Sequence, residues 1–562
     1  MDINILPNLL SDINLFSDDV LLRDASIELL KVLVASGNAS TVSMAWKCCI
    51  SDVLNKLARR SVLRDDRKES GTEAVLGYPD AQGWASLETS LKGVWVILTS
   101  VSSSFDGLDD LLTILGTVTE HTNRFAREYG QMCLAEVIRI RATHIAHDEA
   151  ELLRYVRWTA SGLQDNWSQV RYAAVASTRC LIRACLLNNR MGLLTQEIVP
   201  LLLLNRHFVA EGVKRFSQET WRMLVGPQGG SLLVASTLSV LLTYLATAID
   251  SPNHSVREAV GCCLAEVCRK VIPLHSTCRM SDDDVSNLIR ICVATLEDDS
   301  WPVRELGAQC TLVLFRVVRP AFTDKQGSAI CSRREQFVSL LYADLFDPMI
   351  PLRASASDAL GFLISSHVRD FGCDSLWTEC LDVLQRGLVR WRQQQGASGS
   401  PFRVISFEES QHENRPMYSC GSLVDHSAVR RVRHSLSDDC CTGGHCDIPS
   451  ISQPWEVTDG AVRLFSSLLW SHNLSPELTV DLAKLCVPLI AEVLRDDGAT
   501  SKQLHRTIVS SLANVVESEW LSPSNRIALW LTDGLRESCE AVTCDEDTRS
   551  RFTQACVQLA SY

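Results

Sequence analysis

The stretch EDDSWPVRELG, residues 297–307, decides how this chain folds. Its aspartates and serine favour a turn and a helix N-cap. From Val303 onward, apolar or small residues recur at Leu306 and Gly307, Cys310 and Thr311, and Leu314. That spacing forms one stripe along a helix of 3.6 residues per turn. Small residues near its start let a neighbouring helix approach closely.

Four more stretches share the register, each opening on an apolar residue followed by arginine: Leu22-Arg23, Val170-Arg171, Val256-Arg257 and Leu352-Arg353. Their stripes continue through Leu29 and Leu33, Ala173 and Leu181, Ala259 and Val267, and Ala356 and Leu363. An aspartate precedes each by a few residues: Asp18, Asp165, Asp250, Asp298 or Asp299, and Asp347. Before each turn runs another apolar helix, as in Glu151–Leu163, Ser231–Ile249, Val285–Leu296 and Glu335–Leu345. The unit is therefore helix, short turn, helix. Arg171 and Arg257 are 86 residues apart, two units of 43, and Arg304 and Arg353 follow after 47 and 49 more. The intervening unit is Leu193–Leu204 followed by Phe208–Leu224, and the 148 residues from Arg23 to Arg171 leave room for three units of about 49. Such periods belong to stacked helix pairs.

The turns QDNWSQVRYAA (164–174), EDDSWPVRELG (297–307) and FDPMIPLRASA (346–356) resemble the second-helix signature of HEAT repeats, in the armadillo-like helical superfamily. The resemblance covers about residues 15–370. It implies an all-α fold, a right-handed superhelical solenoid of antiparallel helix pairs (HEAT/ARM-like repeats). It also implies a hydrogen-bond ladder between repeats, carried by Asp165 with Arg171, Asp299 with Arg304 and Asp347 with Arg353; Arg23 and Arg257 hold the same register position.

The solenoid is expected over residues 1–392, with a loop at about 61–83 where periodicity lapses. Residues 393–454, with GASGSP, HENRP and CTGGHC, read as a disordered or flexible insert. Helical patterns return over 455–562, at Val457–Trp470, Pro476–Leu494, Lys502–Val516, Arg526–Ser538 and Thr548–Leu559. They read as divergent repeats capping the array.

Of the 562 residues, 46% are hydrophobic and 22% charged, enough for a sizeable core. The net charge of −13 disfavours nucleic acid and anionic lipid, and the densest basic run is only Arg430, Arg431 and Arg433. The 22 cysteines are scattered, many on apolar helical stripes, which reads as a reducing compartment. The N-terminus MDINILPNLLSD lacks the basic start of a secretory signal. The expected location is cytoplasmic, with the nucleus also open. Met223–Ile249 is long and uncharged, but its Pro227, Gly229 and Gly230 favour a buried solenoid helix over a membrane span.

No phosphate loop, dinucleotide fingerprint, nucleophile elbow or zinc-protease motif occurs, so neither catalysis nor a cofactor is expected. His144 and His147 sit where a solvated turn is the simpler reading. Cys420, Cys440, Cys441, His445 and Cys446 lack the paired spacing of a zinc site, and no metal is expected. Ser435 and Ser437 lie between Arg430-Arg431-Val-Arg433 and two aspartates, a pattern open to phosphorylation. Trp167 and Trp301 open second helices as candidate partner-facing turns; packing between turns is the alternative. A similar Trp occurs in tubulin-binding TOG modules, but the basic residues expected beside it are replaced by Ser168-Gln169 and Pro302. The resemblance implies a non-enzymatic, monomeric scaffold or adaptor for a protein partner. Its alternatives are a TOG-like tubulin or microtubule binder and an adaptor of the nuclear-transport or phosphatase-scaffold type.

Overall fold

The computed structural model describes residues 19–511 apart from 36–38, 70–83, 102–104, 145–147, 272–279, 319–329, 395–452, 497–503 and a few single positions or pairs. Every regular element in these residues is helical. They fall into two units, divided at Leu241 and Leu242.

In the first unit, α1 (Val20–Ala35) precedes three helix pairs: α2 (Ala39–Glu69) with α3 (Trp84–Ser100), α4 (Asp109–Thr119) with α5 (Arg124–Ile140), and α6 (Glu149–Leu163) with α7 (Ser168–Leu187). The short α8 (Met191–Glu197) and α9 (Val199–Asn205) then pair with α10 (Glu211–Val225). After α11 (Ser231–Ser236), the unit boundary falls inside α12 (Leu238–Ala248). The second unit holds α13 (His254–Lys270), α14 (Asp282–Leu296) with α15 (Trp301–Val313), and α16 (Arg334–Leu345) with α17 (Ile350–Phe371). It closes with α18 (Ser375–Leu388), α19 (Pro454–Trp470), α20 (Pro476–Arg495) and a helix at 504–511.

The second helices of the pairs pack side by side: α1, α3, α5, α7 and α10 in the first unit, and α13, α15, α17 and α19 in the second. The register explains why. Val303, Cys310, Leu314, Leu352, Leu360 and Leu363 are wholly buried. Gly307, four residues after Val303, lets α15 lie against the end of α14; a Cβ there would sit 2.8 Å from the Leu296 nitrogen. Gly460 does the same for α19, whose backbone meets the Leu345 carbonyl.

A ladder of buried arginines ties each turn to the next. Arg257 donates from Nη1 to the Ser251 and Pro252 carbonyls of its own turn (2.9 and 3.2 Å). Its Nε and Nη2 grip Asp298 of the next turn at 2.6 and 3.0 Å. Arg304 repeats this with the Asp298 and Asp299 carbonyls (2.9 and 3.0 Å) and with the Asp344 and Asp347 carboxylates (3.1 and 2.8 Å). Arg353 binds the Asp347 and Pro348 carbonyls (2.6 and 2.9 Å) and, 106 residues on, Asp459 at 2.8 Å. In the first unit, Arg171 binds the Asp165 and Leu163 carbonyls (2.5 and 2.9 Å) and Asn205 (2.8 Å). A rung with no sequence signature joins Arg127 to Asp165 at 2.6 and 3.1 Å. Such charge-assisted, forked bonds satisfy turn carbonyls that burial would otherwise leave without a partner.

The pairings therefore differ from those expected. Arg171, Arg304 and Arg353 meet Asp165, Asp299 and Asp347 through backbone carbonyls, whereas those carboxylates are held by arginines of the preceding repeat. Asp298, not Asp299, takes the inner position: its side chain is 1% exposed against 56%, and its Oδ1 accepts the Ser300 amide at 2.9 Å. At α13 the turn is capped by Asn253 (3.0 Å to the Ser255 amide), while Asp250 pairs with Arg290. Arg23 is buried in α1.

Other boundaries moved for local reasons. The loop expected at about 61–83 starts later, because α2 continues to Glu69 through a stretch without glycine or proline. Residues 70–83 lie outside the described ones. The helix expected at Leu193–Leu204 is two, broken at Ile198 ahead of Pro200, whose ring nitrogen cannot donate. Ser231–Ile249 is likewise interrupted at Thr237, and no helix among the described residues is long and apolar enough to cross a membrane. Almost all of 393–454 lies outside the described residues, with Ser435, Ser437 and the Cys420–Cys446 cluster; so do Arg526–Ser538 and Thr548–Leu559.

Candidate functional site

A helix packed on one side leaves one row of side chains to solvent, and the five second helices of the first unit set such rows next to one another. On four of them the second position after the apolar or small residue lies on that side, exposed at Asp24 on α1, Tyr172 on α7 and Arg215 on α10 and half-buried at Glu128 on α5. Side chains connect the rows. Lys92 of α3 lies 3.3 Å from Asp24. Trp95 of α3 meets Tyr129 of α5 at 6.2 Å between ring centroids. Arg179 of α7 binds Glu219 of α10 at 2.8 Å and lies 3.7 Å from the centre of the Phe216 ring. Phe216 in turn stacks on Tyr172 at 4.7 Å, and Tyr172 remains 46% exposed.

On the α1–α5 side Asp24, Glu88 and Glu128 lie within reach of one another's fields. Burial pushes the Glu88 carboxyl up, Lys92 opposes it, and Glu128 raises it further. Burial also raises Glu128, with Arg124 opposing. Neither makes an ion pair among the described residues. Burial and then these carboxylates push the Tyr129 phenol up to about 12, so it stays a neutral donor at physiological pH.

A carboxyl whose folded pKa is raised destabilises the fold once ionised, so its penalty is absent below the unfolded pKa and complete above the folded one. Glu88→Gln and Glu128→Gln are therefore expected to raise the melting temperature at pH 7 and to leave it unchanged near pH 4. Equal gains at both values in a thermal-shift series would contradict the assignment.

The edge formed by the turns carries a second feature. Trp167, the residue before α7, is half-buried, and the Arg124 guanidinium of the preceding repeat lies 3.9 Å from its ring centre. Trp301 is half-buried at the start of α15. Near Trp167 an open depression of about 770 Å³ is bordered by Glu120, His121, Arg157, Gln164, Asp165 and Glu197. Asp165 is engaged by Arg127, and His121 Nδ1 accepts the Asn123 amide at 3.0 Å. No group of three metal-ligating side chains converges among the described residues. The described cysteines are free thiols; burial pushes Cys49 and Cys268 up to about 12, away from reactivity.

No family model matches the chain, and no curated protein does. Among solved structures, Kap95p from a study with RanGDP is 12% identical, with a TM-score of 0.41 over 100% of this chain and 56% of its own. Yeast importin-β (Kap95p) gives 10%, 0.36, 100% and 65%, and Kap121p gives 12%, 0.30, 99% and 55%. The chain spans about half the length of the first of these. The stacked pairs and their arginine ladder, repeated turn after turn, decide the matter. Its fold is HEAT/armadillo-like. In this HEAT-like array, the acidic and aromatic positions of the outward rows went unnoticed in the sequence. For Asp24 and Tyr172 the register held the signal, since each lies two residues after its apolar marker.

Proposed function

We propose that the chain is a non-enzymatic scaffold that binds a protein segment across the second helices of its first unit. The observation that supports this most directly is that Glu88 and Glu128 are half-buried without an ion pair among the described residues, beside the half-buried rings of Trp95 and Tyr129. A carboxylate drawn partly out of water costs stability, which Lys92 and Arg124 offset only in part, and a bound cationic side chain reduces that cost further. Exposed Tyr172 and half-buried Trp95 add contact area of the kind enriched where proteins bind. Proximity labelling in cells, with wild type against a Glu88→Lys/Glu128→Lys double variant of unchanged melting, tests it. Partners should be lost from the variant; an unaltered partner set refutes the reading.

A tubulin-binding second reading draws on Arg124 over Trp167, since the cation absent from the turn is restored by the adjacent repeat. Trp167→Ala and Trp301→Ala should then weaken co-sedimentation with microtubules or tubulin about tenfold, the loss of one aromatic hot spot. Wild-type protein that fails to sediment with either removes this alternative.

A further inference from the structure

Charge is divided along the solvent face of the second helices in the first unit. On the α3–α5 side Lys92 and Arg139 are taken up by Asp24 and Glu136 at 3.3 and 2.5 Å and Arg124 lies over the Trp167 ring, while Glu88 and Glu128 are half-buried and without an ion pair among the described residues. On the α7–α10 side stand Arg183 and Arg222, exposed and likewise without an ion pair among the described residues. The other two arginines there, Arg179 and Arg215, are taken up by Glu219 and Glu211 at 2.8 and 2.6 Å. The halves are continuous: the Cys180 thiol of α7 lies within the fields of Glu136 on α5 and Arg183 on its own helix. Between them Tyr129 and Tyr172 present aromatic surface.

We propose that this face takes one extended polypeptide segment of opposed charge, with Lys or Arg over α3 and α5, Asp or Glu over α7 and α10, and apolar or aromatic residues between. This rests on the scaffold reading and adds the chemistry of the partner. A uniformly basic segment would satisfy Glu88 and Glu128 but set its far end against Arg183 and Arg222; a uniformly acidic one meets the reverse conflict. Nucleic acid is disfavoured by the same carboxylates, which would face its phosphates. Packed helices lie roughly 9 Å apart, so three steps from α3 to α10 span roughly 27 Å. An extended chain covers that in about eight residues. The spacing between charge blocks is thus part of the recognition.

Fluorescence anisotropy of the purified full chain with synthetic peptides tests this. The probe spans about eight residues from its first lysine to its last glutamate, with tyrosine between the two charge blocks. Controls are all-basic, all-acidic and short-spacer peptides, a single-stranded RNA and anionic vesicles. The long-spacer bipolar peptide should bind at least about tenfold more tightly than any control, equivalent to about 1.4 kcal/mol, and should weaken at high salt. Both Glu88→Gln/Glu128→Gln and Arg183→Ser/Arg222→Ser, checked to melt no lower than wild type, should weaken it several-fold. An all-basic peptide that binds equally well and ignores the arginine variant overturns the proposal, as does RNA or vesicle binding that depends on Arg183 and Arg222. Absence of binding to every peptide also overturns it. In each case, the partner set of the Glu88→Lys/Glu128→Lys protein in cells reports separately whether the scaffold reading stands.

Discussion

Arg353→Ala is expected to destabilise the second unit by about 3–5 kcal/mol, the usual cost of leaving half of a buried ion pair behind. Arg353 is wholly buried, and its guanidinium joins the Asp347 turn to Asp459 on α19. Asp459 also accepts from Arg463 Nε at 2.8 Å and from the Thr507 hydroxyl at 2.6 Å, so this one carboxylate gathers α17, α19 and the 504–511 helix. The loss should therefore be local at first. Amides of α19 and of 504–511 are expected to exchange faster than those of α13–α15. Unchanged exchange in those segments would remove Asp459 from its joining role.

The pH dependence carries a sign. Burial alone would raise the Asp459 carboxyl, but Arg353, then Arg463, and then the bonds from Arg463 and Thr507 hold it below the usual range. A depressed carboxyl contributes stability above its unfolded pKa and loses it as pH falls through the folded value. The gap in stability between wild type and Arg353→Ala should accordingly be full at neutral pH and narrow in strong acid. A gap that widens on acidification would contradict the pairing.

The second large effect concerns the shared core. Val303→Asp and Leu360→Asp each place a carboxyl where no surface is accessible, at an expected cost of about 4 kcal/mol or more. Neutralising the group by protonation still leaves an unpartnered polar atom. Because Val303 lies on α15, packed between α13 and α17, damage there should spread to both neighbours, as repeat arrays couple along one dimension. Calorimetry should show a lower melting temperature, with loss of amplitude in the second unit. Wild-type melting in both variants would mean that the apolar register had been misplaced.

Much of the architecture was legible because burial acts helix by helix. The marks of Val170, Val256, Val303 and Leu352 record which face of one helix leaves water, and that record needs no knowledge of the neighbour. The weaker repeat at α10 was legible only as a pair of apolar helices. In the structure Val213-Lys214 stands 43 residues after the Arg171 pair and 43 before the Arg257 pair, with lysine where the others have arginine. The α5 repeat was missed because Ala126-Arg127 opens on too small a residue to register as an apolar marker.

The sequence by itself determined the helix pairs, their period and the residues that turn inward, since each follows from the spacing of apolar side chains along a single helix. Only the tertiary structure decided which carboxylate each arginine holds, that Asp298 rather than Asp299 lies innermost, and that Asp459 closes the ladder from 106 residues away. It also decided where Glu88, Glu128, Arg183 and Arg222 lie relative to one another. Those relations join side chains about one repeat or more apart along the chain. Only helix packing brings the ladder partners within the few ångströms over which hydrogen bonds and ion pairs act, and only it sets the order of the four outward charges across the helices.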